Sequence, residues 1–126
     1  MSIRTPFSRV QGLGAAHSGT EHFWRERASS VALIPLTAWF VYAAIHLIGL
    51  SYEDAFTFLH KPVNAIAMLL FVIASVIHMT LGLQVVIEDY VHTRWKEVVL
   101  LVAIKFLAVL GALASVLAVL RIALTP

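Results

Sequence analysis

Four residues of this 126-residue chain have the types and spacing for chemistry: His78, Asp89 and Tyr90 along one long apolar stretch, and Arg27 at the start of another. His78 lies within Ser75-Val-Ile-His78-Met-Thr-Leu-Gly82-Leu-Gln-Val-Val-Ile-Glu-Asp89-Tyr90, where no other ionisable side chain occurs until the end. An ionisable group inside lipid is costly and rare, and it usually faces the protein interior, so an intramembrane histidine marks a site. On a helix turning about 100° per residue, Gly82, four residues beyond His78, and Asp89, eleven beyond, fall roughly 20° apart, on the face His78 shares.

A neutral imidazole at this depth can ligate the iron of a haem held between helices. Gly82 one turn away, with the small Ser75 on the other side, lets a macrocycle approach. The competing reading is a hydrogen bond across helices with Gly82 as a packing notch. Only one histidine is deep, because His46 is near a helix end and the others fall in the arm and links. A bis-histidine haem therefore needs a second chain, and His46 is read as solvated at the interface rather than as a second haem ligand.

Asp89 and Tyr90 sit where the second apolar segment meets water, and Arg27 where the first does, on the same side. That set suits a quinone headgroup. A phenol donates to a carbonyl oxygen, a guanidinium holds a carboxylate or steadies negative charge, and a carboxylate passes protons from water. Taken singly, each also has an ordinary role: Tyr as interfacial anchor, Asp as solvated helix end, Arg under the positive-inside rule. Lys105 reads as a snorkelling side chain or a partner for a lipid phosphate, with a haem propionate the lesser alternative.

The elements that must position these residues follow from composition. With 60% hydrophobic and 13% charged residues and a mean hydropathy of +0.89, the chain is no ordinary soluble domain, where charged residues run near about 25%. Apolar runs at 31–50, 63–87 and 98–120, uncharged except for Lys105, reach the roughly 20 residues needed to span a bilayer. The expected fold is all-α and integral to the membrane, with three transmembrane helices over about 28–50, 63–90 and 97–122 in an anchor domain 28–126, preceded by an N-terminal arm over 1–27. The first 22 residues are expected to be an extended docking arm. Pro35 is expected to loosen a turn of helix 1, residues 51–62 to form a short link, and Pro62 to open helix 2 without losing a helical bond. Residues 88–97 form a polar second link.

Six Lys and Arg on the arm and second link against Lys61 and Arg121 on the other side favour a cytoplasmic N-terminus, with Asp89, Tyr90 and Arg27 on that face. The chain has no cysteine, so it holds no iron–sulfur cluster, thiolate metal site or disulfide of its own. A net charge of +2 without a basic stripe excludes nucleic acid as a partner. The first apolar run starts too late and runs too long for a cleavable signal peptide. Acidic residues in the arm argue against a transit peptide and favour a bacterial protein.

The residues resemble a known family, the hydrophobic membrane anchor of succinate dehydrogenase, its small cytochrome b subunit. The resemblance rests on Arg27-Ala-Ser-Ser-Val-Ala-Leu entering helix 1, on His78-x-x-x-Gly82, and on Gln84-Val-Val-Ile-Glu-Asp89-Tyr90-Val-His92 closing helix 2. It covers roughly residues 20–120. It implies that His78 is an axial ligand of a haem b shared with a larger cytochrome b anchor subunit, the two anchors together forming one helix bundle. It further implies that Tyr90 hydrogen-bonds ubiquinone, that Asp89 shapes that site, and that Arg27 lies near the quinone and the haem propionates. FAD and iron–sulfur clusters would belong to flavoprotein and iron–sulfur partner subunits, with no succinate-oxidising centre on this chain, and the location would be the bacterial inner membrane. The alternative is a haem-free structural anchor or assembly scaffold. A transporter subunit would need a second intramembrane carboxylate or a repeated helix pattern, and the sequence has neither.

Overall fold

The structure, a computed structural model, describes residues 16–125. Four helices follow one another: α1, Ala16–Leu47; α2, Tyr52–His60; α3, Pro62–Tyr90; and α4, Arg94–Leu124, with no strand among the described residues. Three are long and apolar enough to cross a membrane: Phe23–Leu47, Pro62–Tyr90 and Arg94–Leu124, with mean hydropathies of 1.7, 2.3 and 2.5.

Helix α1 starts well before the apolar run, so residues 16–27, expected as arm, are helical. Local pairs one turn apart support that extension: Arg25 Nη2 meets Glu21 Oε1 at 2.7 Å, and the Arg27 guanidinium lies 5.0 Å from the Phe23 ring centroid. Expectations for residues 1–15 lie outside the described residues. The helix continues through Pro35 and ends at Leu47, and Gly49 two residues on, whose φ of +80° is open to glycine at little cost, lets the chain turn back.

Residues 51–62, expected as a link, contain a second difference: α2 fills most of them. Ser51 Oγ accepts from the Asp54 backbone N–H at 3.2 Å and donates to Asp54 Oδ2 at 2.7 Å, a close variant of the reciprocal cap that starts helices. Asn64 Nδ2 then donates to the Phe58 carbonyl at 2.7 Å, and Pro62 opens α3 at its first position. Only Val91–Thr93 separate α3 from α4, so the polar second link contracts to three residues. Glu88, Asp89 and Tyr90 belong to the last turn of α3, and Arg94 to Glu97 to the first turn of α4.

Helix α3 is the shared partner, packing against both α1 and α4, while α2 bridges α3 and α4 at the far end. The burial is thin: among the described residues Ala43, Phe58, Ala65, Ile87 and Ala108 are the buried apolar ones and Ser29 the buried polar one. The small ones, Ala43, Ala65, Ala108 and Ser29, let helix backbones approach closely, the usual means of helix association in lipid. Phe40 stacks on Phe71 at 4.4 Å between α1 and α3, and His46 tilts over Phe58 at 4.7 Å. The core is thus a set of contact lines between helices, and most apolar surface faces outward.

Candidate functional site

His78 points from α3 at α1, where it meets two adjacent hydroxyls. Ser29 Oγ lies 3.1 Å from His78 Nδ1 and Ser30 Oγ 3.5 Å from the same atom. Both serines already donate to the Glu26 carbonyl, at 2.9 and 2.8 Å, the back-bonding that hydroxyls adopt in mid-helix. A hydroxyl has one proton, so Ser29 Oγ accepts from Nδ1–H. In a neutral imidazole the proton on Nδ1 leaves Nε2 with its lone pair. No described residue hydrogen-bonds Nε2.

This polarity is the one a metal-ligating histidine uses, with one ring nitrogen free for the metal and the other donating to a fixed oxygen that sets tautomer and ring orientation. Among the described residues no three His, Asp or Glu side chains gather as a metal cage. A porphyrin needs none, because it supplies the equatorial ligands and asks the protein for axial ones. His78 also lines an open groove of about 680 Å³ with Ser30, Ile34, Thr37 and Val41 along one stripe of α1. Arg27, three residues before Ser30, continues that stripe by one turn toward the Tyr90 end. The residues present are those a haem would use: one lone pair on His78, apolar side chains from Ile34 and Val41 beside it, and Arg27 one turn beyond the groove.

Gly82 is not a packing notch within this chain. A Cβ built on it meets nothing within 4 Å. The open space beside His78 is available to something other than the chain's own helices.

Asp89 and Tyr90 lie in the last turn of α3, both exposed, Tyr90 to 79%. Neither makes a hydrogen bond or ion pair with a described residue. Twelve residues separate Tyr90 from His78, roughly 18 Å along the axis at 1.5 Å per residue. The chain therefore brings together His78, Ser29 and Ser30, keeps Arg27 on the same side of α1, and leaves Asp89 and Tyr90 apart at the membrane edge. Ser29 and Ser30 are the residues the sequence did not single out. The usable signal was a pair of hydroxyls in one apolar helix at the depth of the lone histidine in the next antiparallel one.

Comparison with known proteins bears on the chain as a whole. A family described as the succinate dehydrogenase/fumarate reductase transmembrane subunit matches residues 1–112. A succinate dehydrogenase hydrophobic membrane anchor subunit from Paracoccus denitrificans is 35% identical over 106 residues, covering 84% of this chain and 82% of its own length. Its namesake from Rickettsia bellii is 30% identical over 117 residues, covering 93% and 94%. A succinate dehydrogenase membrane anchor subunit from Reclinomonas americana is 27% identical over 95 residues, covering 73% and 79%. No solved structure matches the chain.

Proposed function

The chain belongs to the succinate dehydrogenase/fumarate reductase transmembrane subunit family as a membrane-spanning anchor subunit, and we propose that it co-ligates haem b and helps build the ubiquinone-reduction site of a succinate:ubiquinone oxidoreductase. The observation that carries this reading is the 3.1 Å contact from His78 Nδ1 to Ser29 Oγ, which leaves Nε2 as the free ligand. A second anchor subunit would supply the other haem-ligating histidine, since this chain has one deep histidine. Flavoprotein and iron–sulfur subunits carry FAD and the clusters that collect electrons from succinate. The chain sits in the bacterial inner membrane with its N-terminus cytoplasmic, in keeping with the Lys and Arg distribution.

Haem bound at His78 would supply a one-electron relay within the bundle. Within this chain, Ser29 holds the imidazole in the Nδ1–H tautomer, and Ile34 and Val41 of α1 give the groove beside the ring its apolar part. Arg27, one turn beyond the groove, would hold a propionate carboxylate through paired charge-assisted hydrogen bonds. Quinone reduction takes two electrons and two protons, so its site needs contact with water. Tyr90 Oη donates to a quinone carbonyl oxygen as negative charge develops there. Asp89, exposed beside it, accepts protons from water and passes them inward.

Two variants test the two halves separately. In the purified complex, His78→Ala is expected to lose the b-type absorbance and the bound haem; a normal spectrum and haem stoichiometry would reject the ligand assignment. Tyr90→Phe is expected to lower quinone reduction by about tenfold, the loss of roughly one charge-assisted hydrogen bond, while succinate oxidation by an artificial dye stays intact. An unchanged quinone rate removes Tyr90 from the site.

A further inference from the structure

On the flank of α3 away from the His78 groove, two apolar grooves run side by side. One, of about 420 Å³, lies between α3 and α4 and is walled by Val76, Leu81, Ala108 and Val109. The other, of about 700 Å³, lies between α1 and α3 and is walled by Ala28, Ala32, Pro35, Leu70 and Ile73. Two residues line both: Ile77, the ridge that divides them, and Arg25. Lys105 lines the first groove beside Arg25. A pair of apolar channels that share a basic residue has the shape and charge of a forked, anionic molecule.

Lys105 is the only charged residue within the apolar run of α4, and no described residue pairs with it. It lies eleven residues from Arg94, roughly 16 Å along the helix. Side chains lean toward their helix N-terminus, which for both α1 and α4 is the Tyr90 end, so Lys105 and Arg25 direct their charges the same way. Arg25 spends one nitrogen on the exposed Glu21 contact, and a guanidinium has five N–H donors. A cation this deep in an apolar helix is expensive unless it pairs or snorkels. The walls are too apolar for a soluble anion, and the charge is too positive for a neutral lipid.

We propose that these grooves hold one anionic diacyl glycerophospholipid, its phosphate held by Arg25 and Lys105 and its two acyl chains divided by Ile77. Ser29, which meets His78 on one side, also lines the second groove, so the lipid adjoins the His78 site, but neither cation that holds the phosphate touches His78, Asp89 or Tyr90.

The test uses the assembled, detergent-extracted complex in mixed micelles of defined lipid, with retained lipid counted by native mass spectrometry and phosphorus analysis. The wild-type complex is expected to retain one phosphatidylglycerol in preference to phosphatidylcholine. A surface cation contributes about a fivefold preference for anionic lipid, so Lys105→Gln should lower the preference about fivefold and Lys105→Gln with Arg25→Gln about twenty-fivefold. Val109→Trp, which fills one groove and keeps both cations, should lower retention of either lipid, whereas Arg121→Gln, outside the grooves, should change neither. Equal retention of the two lipids by wild type, an unchanged preference in the double variant, or an equal loss in Arg121→Gln would each overturn the assignment. So would a photo-crosslinker at position 109 that labels a partner subunit instead of lipid.

Discussion

Removing the Ser29 hydroxyl gives the sharpest test of how the imidazole is set. Ser29 is 8% exposed, so Ser29→Ala deletes a buried acceptor 3.1 Å from His78 Nδ1 with almost no change in volume. A hydrogen bond of this kind contributes about 1 kcal/mol net, and a buried donor left unpaired costs about 1–3 kcal/mol. Ser30 Oγ, at 3.5 Å from the same nitrogen, needs to move only slightly to replace it. The single variant should therefore sit at the low end, about 1 kcal/mol or roughly fivefold weaker haem retention. Ser29→Ala with Ser30→Ala should approach about 3 kcal/mol, roughly a hundredfold. An Nδ1–H bond makes the ligand more basic and favours the ferric iron. Its loss should raise the midpoint potential by up to about 40 mV per kcal/mol, from 59 mV per tenfold for one electron. Redox titration of the b-type absorbance and haem-to-protein ratios measure both effects, and Ser29→Thr, which keeps a hydroxyl, should restore them. A double variant with wild-type haem content and potential would show that the serines do not set the ring, and the tautomer reasoning would fail with it.

Three other perturbations probe different levels. Gly82→Leu sets its Cβ in space free of its own subunit to 4 Å, so membrane insertion should be normal while haem content or pairing with the second anchor drops at least severalfold; normal assembly with full haem would mean that nothing occupies the space beside His78. Ser51→Ala removes the α2 cap and should destabilise the far end by about 1 kcal/mol, read as faster amide exchange across residues 52–60, with the b-type spectrum unaltered; unchanged exchange would deny the cap its role. Arg27→Gln should shift haem retention or potential in the direction of a lost propionate partner, by about 1–2 kcal/mol, with Arg27→Lys recovering only part; full recovery would argue for charge alone rather than a paired fork.

What the sequence made legible was whatever depends on depth. Hydropathy located three spans, and the span containing His78 told how far the ring lies from Tyr90, because helix rise converts residues to ångströms. It said less about where helices begin. The start of α1 is set by pairs such as Glu21 with Arg25, which stabilise a helix in water, whereas the apolar run marks only where lipid begins. Helix α2 was missed although Ser51 and Asp54 spell a cap, because polar residues between two spans read as a loop unless that spacing is checked. Ser29 and Ser30 were hidden for a deeper reason. A serine in an apolar helix ordinarily satisfies itself on the preceding turn, as both do with Glu26, and only the pairing of α1 with α3 gives the same oxygen a second task.

The three-residue connection from Val91 to Thr93 bears on how the chain is made. Helices joined so tightly must stand side by side and antiparallel, so α3 is the neighbour at hand when α4 enters the bilayer. Lys105 would add about 2.5–3.5 kcal/mol to the insertion of α4 if it stood at the membrane centre, and the uncharged central stretch of α3 travels with it and offsets that burden. The short connection thus keeps the one charged span beside an uncharged one, and lengthening it should raise the share of chains in which α4 fails to insert.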